Sequence, residues 1–299
     1  MKPYKLALPP DYRLDDVLAF HRRDAESIAE EVSAERLRKG VLLDGVPVVL
    51  DIALPPAGAG AEARVSVQAD SPLSAAGREQ AREAVLNILG LRIDPAPFCA
   101  FVKKDKLFGA LARKQPGLRI VQSATVFEAL TWAIIGQQIN LSFAIALRRS
   151  FILQAGRQHS SGLWCYPDAD SAAALSVDDL TSRKFSRAKA ETLLRLATLV
   201  ANGELRLELA DDNSIDQISA ALLAVKGIGP WTVNYGLLRG YGYADCSLHG
   251  DVAVRAALQT LMGADQRPDI KQTEDILTRY SPHRTMAAAH LWASLHPRD

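Results

Sequence analysis

Residues 1–95 predict an α+β domain with a small antiparallel sheet, and residues 96–299 an all-α body. Three observations carry that division. Stretches rich in Val, Leu and Ile, with turn signals between them, are confined to the first part. Helical periodicity in short, capped pieces fills the second. The chain has 299 residues, enough for two domains at the usual ~100–200 residues each.

In the first part, LDDVLAFHRRD (14–24) and SAAGREQAREAVLNILGL (74–91) have the spacing of amphipathic helices, the second opened by Ser74 as a cap. RKGVLLDGVPVVLDIALP (38–55) carries an Asp-Gly pair between two apolar runs, which signals a hairpin. EARVSVQAD (62–70) reads as a further strand, and PPAGAGAEA (55–63) as a flexible connection.

In the second part, 125–154 is a long apolar helical stretch with a break near Gly136. Residues 187–203 place Ala190, Leu193, Leu194, Ala197 and Leu199 on or near one face and stop at Gly203. Residues 214–225 open with Ser214 and carry Gln217 three positions on, a capping box. WTVNYGLLRG (231–240) reads as the next helix, ending at Gly240; 251–263 ends on Gly263, and 284–296 is the last helix. There is no internal repeat and no low-complexity tail.

Composition excludes some classes. The chain is 48% hydrophobic and 23% charged with a formal net charge of +1, so it can fill a core, and any basic surface must be local. Cys99, Cys165 and Cys246 are scattered and make neither a disulfide framework nor a Cys-x-x-Cys pair, the usage of a reducing compartment. No signal-length apolar core opens the chain, and no run of about 18 apolar residues occurs, so a cytoplasmic protein without membrane spans is expected.

Between two apolar runs of the hairpin region 214–240 stands Lys226-Gly227-Ile228-Gly229-Pro230. Pro230 suits a first helical turn, where its missing N–H costs nothing. Gly227 and Gly229 permit unusual backbone conformations and leave the main chain open to an external group. Free N–H groups at a helix start suit a phosphate, and Ile228 would point inward. Taken alone, the two glycines fit a plain αα-hairpin turn equally well. Asp251 opens a helix and, alone, fits a simple N-cap. Trp231 and Tyr235, four apart, share a helix face, whereas Trp132, inside an apolar run, reads as core. Gln137 and Gln138 put two amides inside an apolar stretch, where they need partners. Lys226, Arg239, Lys184, Arg187 and Lys189 are the basic candidates for contact with an anionic group, with a solvated face as the plain alternative.

LAVKGIGPWTVNY, followed by GYADCSLHGDVAVRAAL, with TWAIIGQQIN upstream and HRTMAAAHLW downstream, resembles the helix-hairpin-helix DNA glycosylases, specifically the DNA-3-methyladenine glycosylase II (AlkA-type) branch. The resemblance covers residues 115–295 and, more loosely, the N-terminal domain. It implies a helix-hairpin-helix glycosylase body of two helical subdomains. It also implies base-excision repair of alkylated purines, of 3-methyladenine and 7-methylguanine type, in damaged double-stranded DNA by base flipping.

On that resemblance Asp251, about 20 residues past the hairpin, matches the catalytic aspartate. Its carboxylate would stabilise an oxocarbenium-like sugar or handle the attacking water. Trp231 stands where bifunctional relatives carry a Schiff-base lysine, which implies a monofunctional hydrolase without lyase activity. Trp231, Tyr235, Trp292 and Gln137 would line the base pocket, where a cationic base stacks on the rings. Gln138 or Ile139 would fill the gap left by the flipped base, where the family carries an apolar wedge. Val252 and Met286 replace aromatics, so a less aromatic pocket is expected.

Gly227, Gly229, Lys226 and Thr232 would surround one phosphate. The backbone carbonyls of Leu223, Val225 and Ile228 would hold a structural Na⁺ or K⁺. No cofactor is otherwise required, and three scattered cysteines exclude the iron–sulfur cluster of some relatives. His249 would shape its loop or act as an acid. A monomer without nucleotide cofactor and with moderate, salt-sensitive DNA binding is expected, acting at the nucleoid. Two alternatives stay open: a non-catalytic DNA-binding hairpin protein, or a same-fold glycosylase for a deaminated or oxidised base. Release of a neutral base needs leaving-group help that no residue clearly supplies in the sequence. Nothing in the N-terminal domain carries identifiable chemistry.

Overall fold

The computed structural model of the protein describes residues 1–55 and 61–295. Most of the connection expected at 55–63, and His296 at the end of the expected last helix, lie outside the described residues. The first part contains β1 (Tyr4–Ala7), α1 (Leu14–His21), β2 (Glu30–Val32), β3 (Arg36–Leu43), β4 (Val46–Ala53), β5 (Glu62–Ala69) and α2 (Ala75–Ile88). The strands form one antiparallel sheet in the order β1-β5-β4-β3-β2. β3 and β4 form the expected hairpin. Val41 faces Val48 and Leu43 faces Val46, and the two-residue loop Asp44-Gly45 has both φ angles positive, 50° and 69°, as a right-twisted hairpin requires. β1 and β2 lie beyond the sequence reading. Each is an edge strand of only three or four residues, Tyr-Lys-Leu-Ala and Glu-Glu-Val, a weak pattern whose shortness and charged side chains also discourage edge pairing.

Leu37, Val41, Leu43, Val48, Leu50, Ile52, Val65 and Val67 face one core with Val17 and Leu18 of α1 and Ala81, Ala84, Val85 and Ile88 of α2. Ser74 caps α2 as expected, accepting from the Gly77 N–H.

The second part runs α3 (Ala96–Phe101), α4 (Gly109–Lys114), α5 (Val126–Gly136), α6 (Leu141–Ala155), β6 (Arg157–Gln158), β7 (Trp164–Cys165), α7 (Ala169–Ala173), α8 (Val177–Thr181), α9 (Arg187–Ala201), α10 (Ile215–Leu223), α11 (Pro230–Gly236), α12 (Val252–Met262), α13 (Ile270–Thr278) and α14 (Arg284–Ser294). The expected break near Gly136 separates α5 from α6. α10 carries both halves of its capping box, and α9 buries Ala190, Leu193, Leu194 and Ala197. The helix expected to end at Gly240 runs on: α11 passes into a π-turn at Leu237–Tyr241, and left-handed Gly242 stops it. One apolar core, from Ile93 and Phe98 to Leu291, runs through the body, so any two helical subdomains share it. The body is not purely helical. Its small ribbon β6–β7 docks on the edge of β3 where β2 ends. Leu42 donates to the Tyr166 carbonyl at 2.9 Å, and Tyr166 to the Gly40 carbonyl at 3.0 Å. Gly40 is required there, since a Cβ would stand 2.1 Å from the Trp164 carbonyl oxygen. No helix among the described residues is long and apolar enough to cross a membrane.

Candidate active site

Asp251 is the N-cap of α12, and its Oδ1 accepts from the Val254 N–H at 2.9 Å. It does more than cap. The indole N–H of Trp292 donates to the same oxygen at 3.1 Å, and that of Trp231 to Oδ2 at 2.9 Å. Residues from α11, α12 and α14 therefore converge on one half-buried carboxylate. Tyr235 lies one turn on from Trp231, the ring centroids 5.2 Å apart, and its ring is 6.5 Å from that of Trp292. The expected cluster of Asp251, Trp231, Tyr235 and Trp292 is thus assembled.

Trp132 corrects the expectation of a core tryptophan. It is half-buried, donates its N–H to the Tyr235 hydroxyl at 3.0 Å and lines the cavity next to that ring. The N-terminal domain also contributes a wall to this cavity, through Phe20, His21, Arg23, Glu30 and Lys39. Behind the wall lies a buried charge cluster. The Lys39 ammonium contacts Glu30 at 2.6 Å and Glu128 at 2.7 Å, and Arg148 contacts the same two carboxylates at 2.5 and 3.0 Å. Burial opposes charge on both acids, but Arg148 and Lys39 hold Glu30 well below the usual carboxylate range, and Glu128 is lowered in the same way. Burial, then the Lys39 charge, pushes His21 down to about 4. This neutral imidazole lies 2.8 Å from the Ile88 carbonyl oxygen. The cluster ties β2 and β3 to α5 and α6, and so fixes the sheet against the helix that carries Trp132.

In the hairpin, Ile228 is buried as expected. The two glycines differ. Gly227 has φ +97°, and a Cβ there would stand 2.0 Å from Thr192 Oγ1, so the fold demands glycine. Gly229 is extended, and a Cβ would meet nothing within 4 Å. Among the described residues, no other part of the chain fills that space. Lys226 is exposed beside it. Thr232 does not turn to solvent: it is 2% exposed and its hydroxyl accepts from the Gln137 amide at 3.0 Å, leaving only its first-turn N–H for a phosphate.

Gln137 likewise departs from its expected place in the pocket. Its amide also donates to the Gly227 carbonyl at 3.1 Å, tying the α5–α6 turn to the hairpin. Lys189, grouped above with the basic candidates, is turned inward. Its ammonium donates to the Ile135 carbonyl at 2.7 Å and to the Gln137 carbonyl. Braced from below in this way, Gln138 stands exposed at φ +56°, a left-handed conformation that costs a non-glycine residue roughly 1–2 kcal/mol. Ile139 packs half-buried against the body.

Arg239 is turned from the DNA side too, its guanidinium among the Phe20, Tyr235 and Trp292 rings. Arg187 pairs loosely with Asp178 and Glu191, whereas Lys184 sits exposed at φ +72°. Of the positions that replace aromatics, Val252 is 62% exposed and Met286 1%, so Met286 belongs to the core. His249 bonds Ser247 within its loop at 2.8 Å. The Leu223, Val225 and Ile228 carbonyls lie along the hairpin turn, and that of Val225 also accepts from the Ile228 N–H at 3.0 Å.

The residues missed from sequence had a signal in one case. Lys39 shares the strand parity of Leu37, Val41 and Leu43, which places it on the buried face. Phe20 had none, because only the tertiary fold brings α1 to α11.

Residues 131–283 match the family described as HhH-GPD superfamily base excision DNA repair protein. The chain is 30% identical over 222 residues, 73% of each protein, to the DNA-3-methyladenine glycosylase of Bacillus subtilis. Among solved structures it is similar to the 3-methyladenine DNA-glycosylase from Archaeoglobus fulgidus, with TM-score 0.79, 21% identity and 97% of each chain covered. It is also similar to the Clostridium acetobutylicum 8-oxoguanine glycosylase/lyase in complex with double-stranded DNA, with TM-score 0.68, 15% identity, and 91% of this chain and 89% of that one covered. At those identities the two structures bear on the fold alone.

Proposed function

The chain belongs to the HhH-GPD superfamily of base excision DNA repair proteins, and from that premise we propose that it is a monofunctional DNA glycosylase. Its substrates are alkylated purines of the 3-methyladenine and 7-methylguanine type in double-stranded DNA. The observation that carries this reading is the Asp251 carboxylate, each oxygen held by one indole N–H of the ring pair that would receive the base. A protein that merely grips DNA needs neither.

The N-terminal turn of α11, with Lys226 and the open space at Gly229, holds one phosphate of the lesion strand. Gln138, projected by its strained backbone, occupies the gap in the stack, and the base rotates out against the rings of Trp231, Tyr235 and Trp292. As the glycosidic bond lengthens, positive charge grows on the sugar. Asp251 stabilises it, its orientation fixed in advance by three N–H donors. A cationic methylated purine departs as a neutral molecule, so no general acid is required. Trp231 offers no amine for a Schiff base, so the product is an abasic site in an unnicked strand.

The division at residue 95, a monomeric state, action in the cytoplasm at the nucleoid and the absence of a nucleotide cofactor belong to the same reading. So does an alkali cation on the hairpin. The Leu223, Val225 and Ile228 carbonyls are hard oxygen donors that fit one, the Val225 oxygen keeping a second lone pair beyond its bond to Ile228. Such an ion would add positive charge beside the phosphate.

The test is Asp251→Asn, assayed for base release from methylated duplex DNA. Release should fall on the order of a hundredfold or more, with binding to an abasic duplex retained. Near-normal release would sink the assignment.

A further inference from the structure

Asn234 stands out in α11. Its neighbours Val233, Tyr235 and Gly236 are buried, and asparagine is a poor helix former whose side chain competes with the backbone. Here both ends of the amide are used. Nδ2 donates to the Pro230 carbonyl at 3.0 Å, and Oδ1 accepts from the Ser247 N–H at 2.9 Å. Ser247 lies four residues before Asp251, in the loop that joins α11 to α12. Ahead of Ser247 the loop is fastened to α14. The buried Thr285 hydroxyl accepts from the Cys246 N–H at 2.8 Å and donates to the Tyr243 carbonyl at 2.8 Å. Arg284 binds the Asp245 carboxylate through bonds of 2.7 and 2.8 Å. After Ser247 come buried Leu248 and a turn in which the Asp251 N–H donates to the Leu248 carbonyl at 2.9 Å.

Two helices thus each hold this loop at both ends. α14 grips Asp245 and Cys246 through Arg284 and Thr285, and Asp251 through Trp292. α11 grips Ser247 through Asn234, and Asp251 through Trp231. The indole bonds orient the carboxylate, but the main chain beneath it must be placed by something else. Among the described residues, Asn234 makes the last side-chain bond to the loop backbone ahead of the Asp251 turn. It stands three residues after Trp231, so one rigid helix carries both the tie to the turn and a ring that would receive the base. We propose that Asn234 is a positioning residue that acts through Asp251. It sets the height of the 248–251 turn above α11, so that the carboxylate meets both indoles and the sugar carbon. The inference rests on the glycosylase reading above. Asn234 takes no part in the bond changes, and its effect is geometric. A shift of about 1 Å at a reacting group can cost on the order of a hundredfold in rate. The amide serves both of its partners: leucine would leave the Ser247 N–H without an acceptor, and aspartate would set an oxygen against the Pro230 carbonyl.

The experiment uses the full chain in single-turnover release of 7-methylguanine from duplex DNA, with the four indole N–H resonances recorded by NMR. Asn234→Ala puts a better helix former in α11, so the fold should tolerate it. It should slow release on the order of tenfold and leave binding to an abasic duplex within about twofold of wild type. Asn234→Asp should recover part of the rate, since a carboxylate oxygen still accepts from Ser247. Combined with Asp251→Asn, Asn234→Ala should slow the residual release no further, because its effect passes through the carboxylate. The Trp231 and Trp292 resonances, moved downfield by Asp251 in wild type, should retreat in Asn234→Ala toward the position of a free indole. A merely structural role would add its loss to that of Asp251→Asn, or leave both resonances in place. Either result overturns the proposal and leaves the glycosylase reading intact. Wild type that releases no base overturns that reading instead. The resonances then decide alone whether Asn234 places Asp251, and if they stay in place the proposal falls as well.

Discussion

The phosphate hairpin is built from one continuous stretch, residues 214–240, whereas the pocket beside it draws Phe20 from α1, Trp132 from α5, Tyr235 from α11 and Trp292 from α14. The hairpin is closed by contacts local in sequence: a capping box, a proline at the first helical position and a turn between neighbouring helices. The pocket exists only once the sheet has docked on the body. That docking runs through a fully buried lysine shared by two carboxylates. A site can thus grip DNA with one part of the chain and choose its base with another. The two parts meet on α11, where Trp231 follows the hairpin turn and Tyr235 lines the cavity.

The sharpest way to separate them is to damage the docking alone. Lys39→Met leaves Glu30 and Glu128 to share Arg148, and breaking a buried pair in this way costs roughly 3–5 kcal/mol. Denaturant unfolding should register that loss. Base release should fall further than low-salt binding to undamaged duplex, because the hairpin needs nothing from Lys39. Equal losses would mean that hairpin and pocket are not separable.

The glycine pair tests the hairpin from within. Gly227→Ala meets both a positive φ and the Thr192 hydroxyl, and should destabilise the fold by about 2–3 kcal/mol. Gly229→Ala should leave the melting temperature within the range of about 0.5 kcal/mol typical of surface changes, and weaken duplex binding several-fold. If Gly229→Ala bound DNA normally, the open space beside it would not be a phosphate seat.

A smaller effect is expected at the join. Lys189→Met removes the charge-assisted bonds under the Gln137 turn, which are worth about 1.5–3 kcal/mol. Freed of its brace, Gln138 should fill the duplex less well. Release from duplex DNA should drop on the order of tenfold, and release from single strands, where no gap needs filling, should change less. Parallel losses on both substrates would remove the wedge role from Gln138.

The same contrast explains what was legible in the sequence. Ser74, Ser214 with Gln217, Pro230 and Asp251 each announce a helix start within four residues, and all four stand where they were expected. The Asp44-Gly45 turn fixed a strand register in the same local way. The partners of Asp251 were reachable only through the family resemblance, since positions 231, 251 and 292 share no local pattern. What was lost depends on packing across elements. Gln137 and Lys189 look like ligand and DNA contacts along the chain, but in space each finds a backbone carbonyl to satisfy it. Arg239 looks like a surface cation, yet the last turn of its helix aims it at three rings. The strand edges went unread because a stretch as short as Glu30-Glu31-Val32 carries almost no strand signal.

The ribbon that docks on β3 has a further consequence. Where β2 stops, the C=O of Gly40 and the N–H of Leu42 are paired by Tyr166, a residue more than 120 positions away. Cut off after residue 95, the N-terminal sheet would present that stretch of β3 bare, flanked by Val41 and Leu43, as a template for any other extended chain. The helical body is thus also the sheet's safeguard against aggregation. A proteolytic nick between the halves would do its harm through the sticky edge it uncovers as much as through the pocket it dismantles.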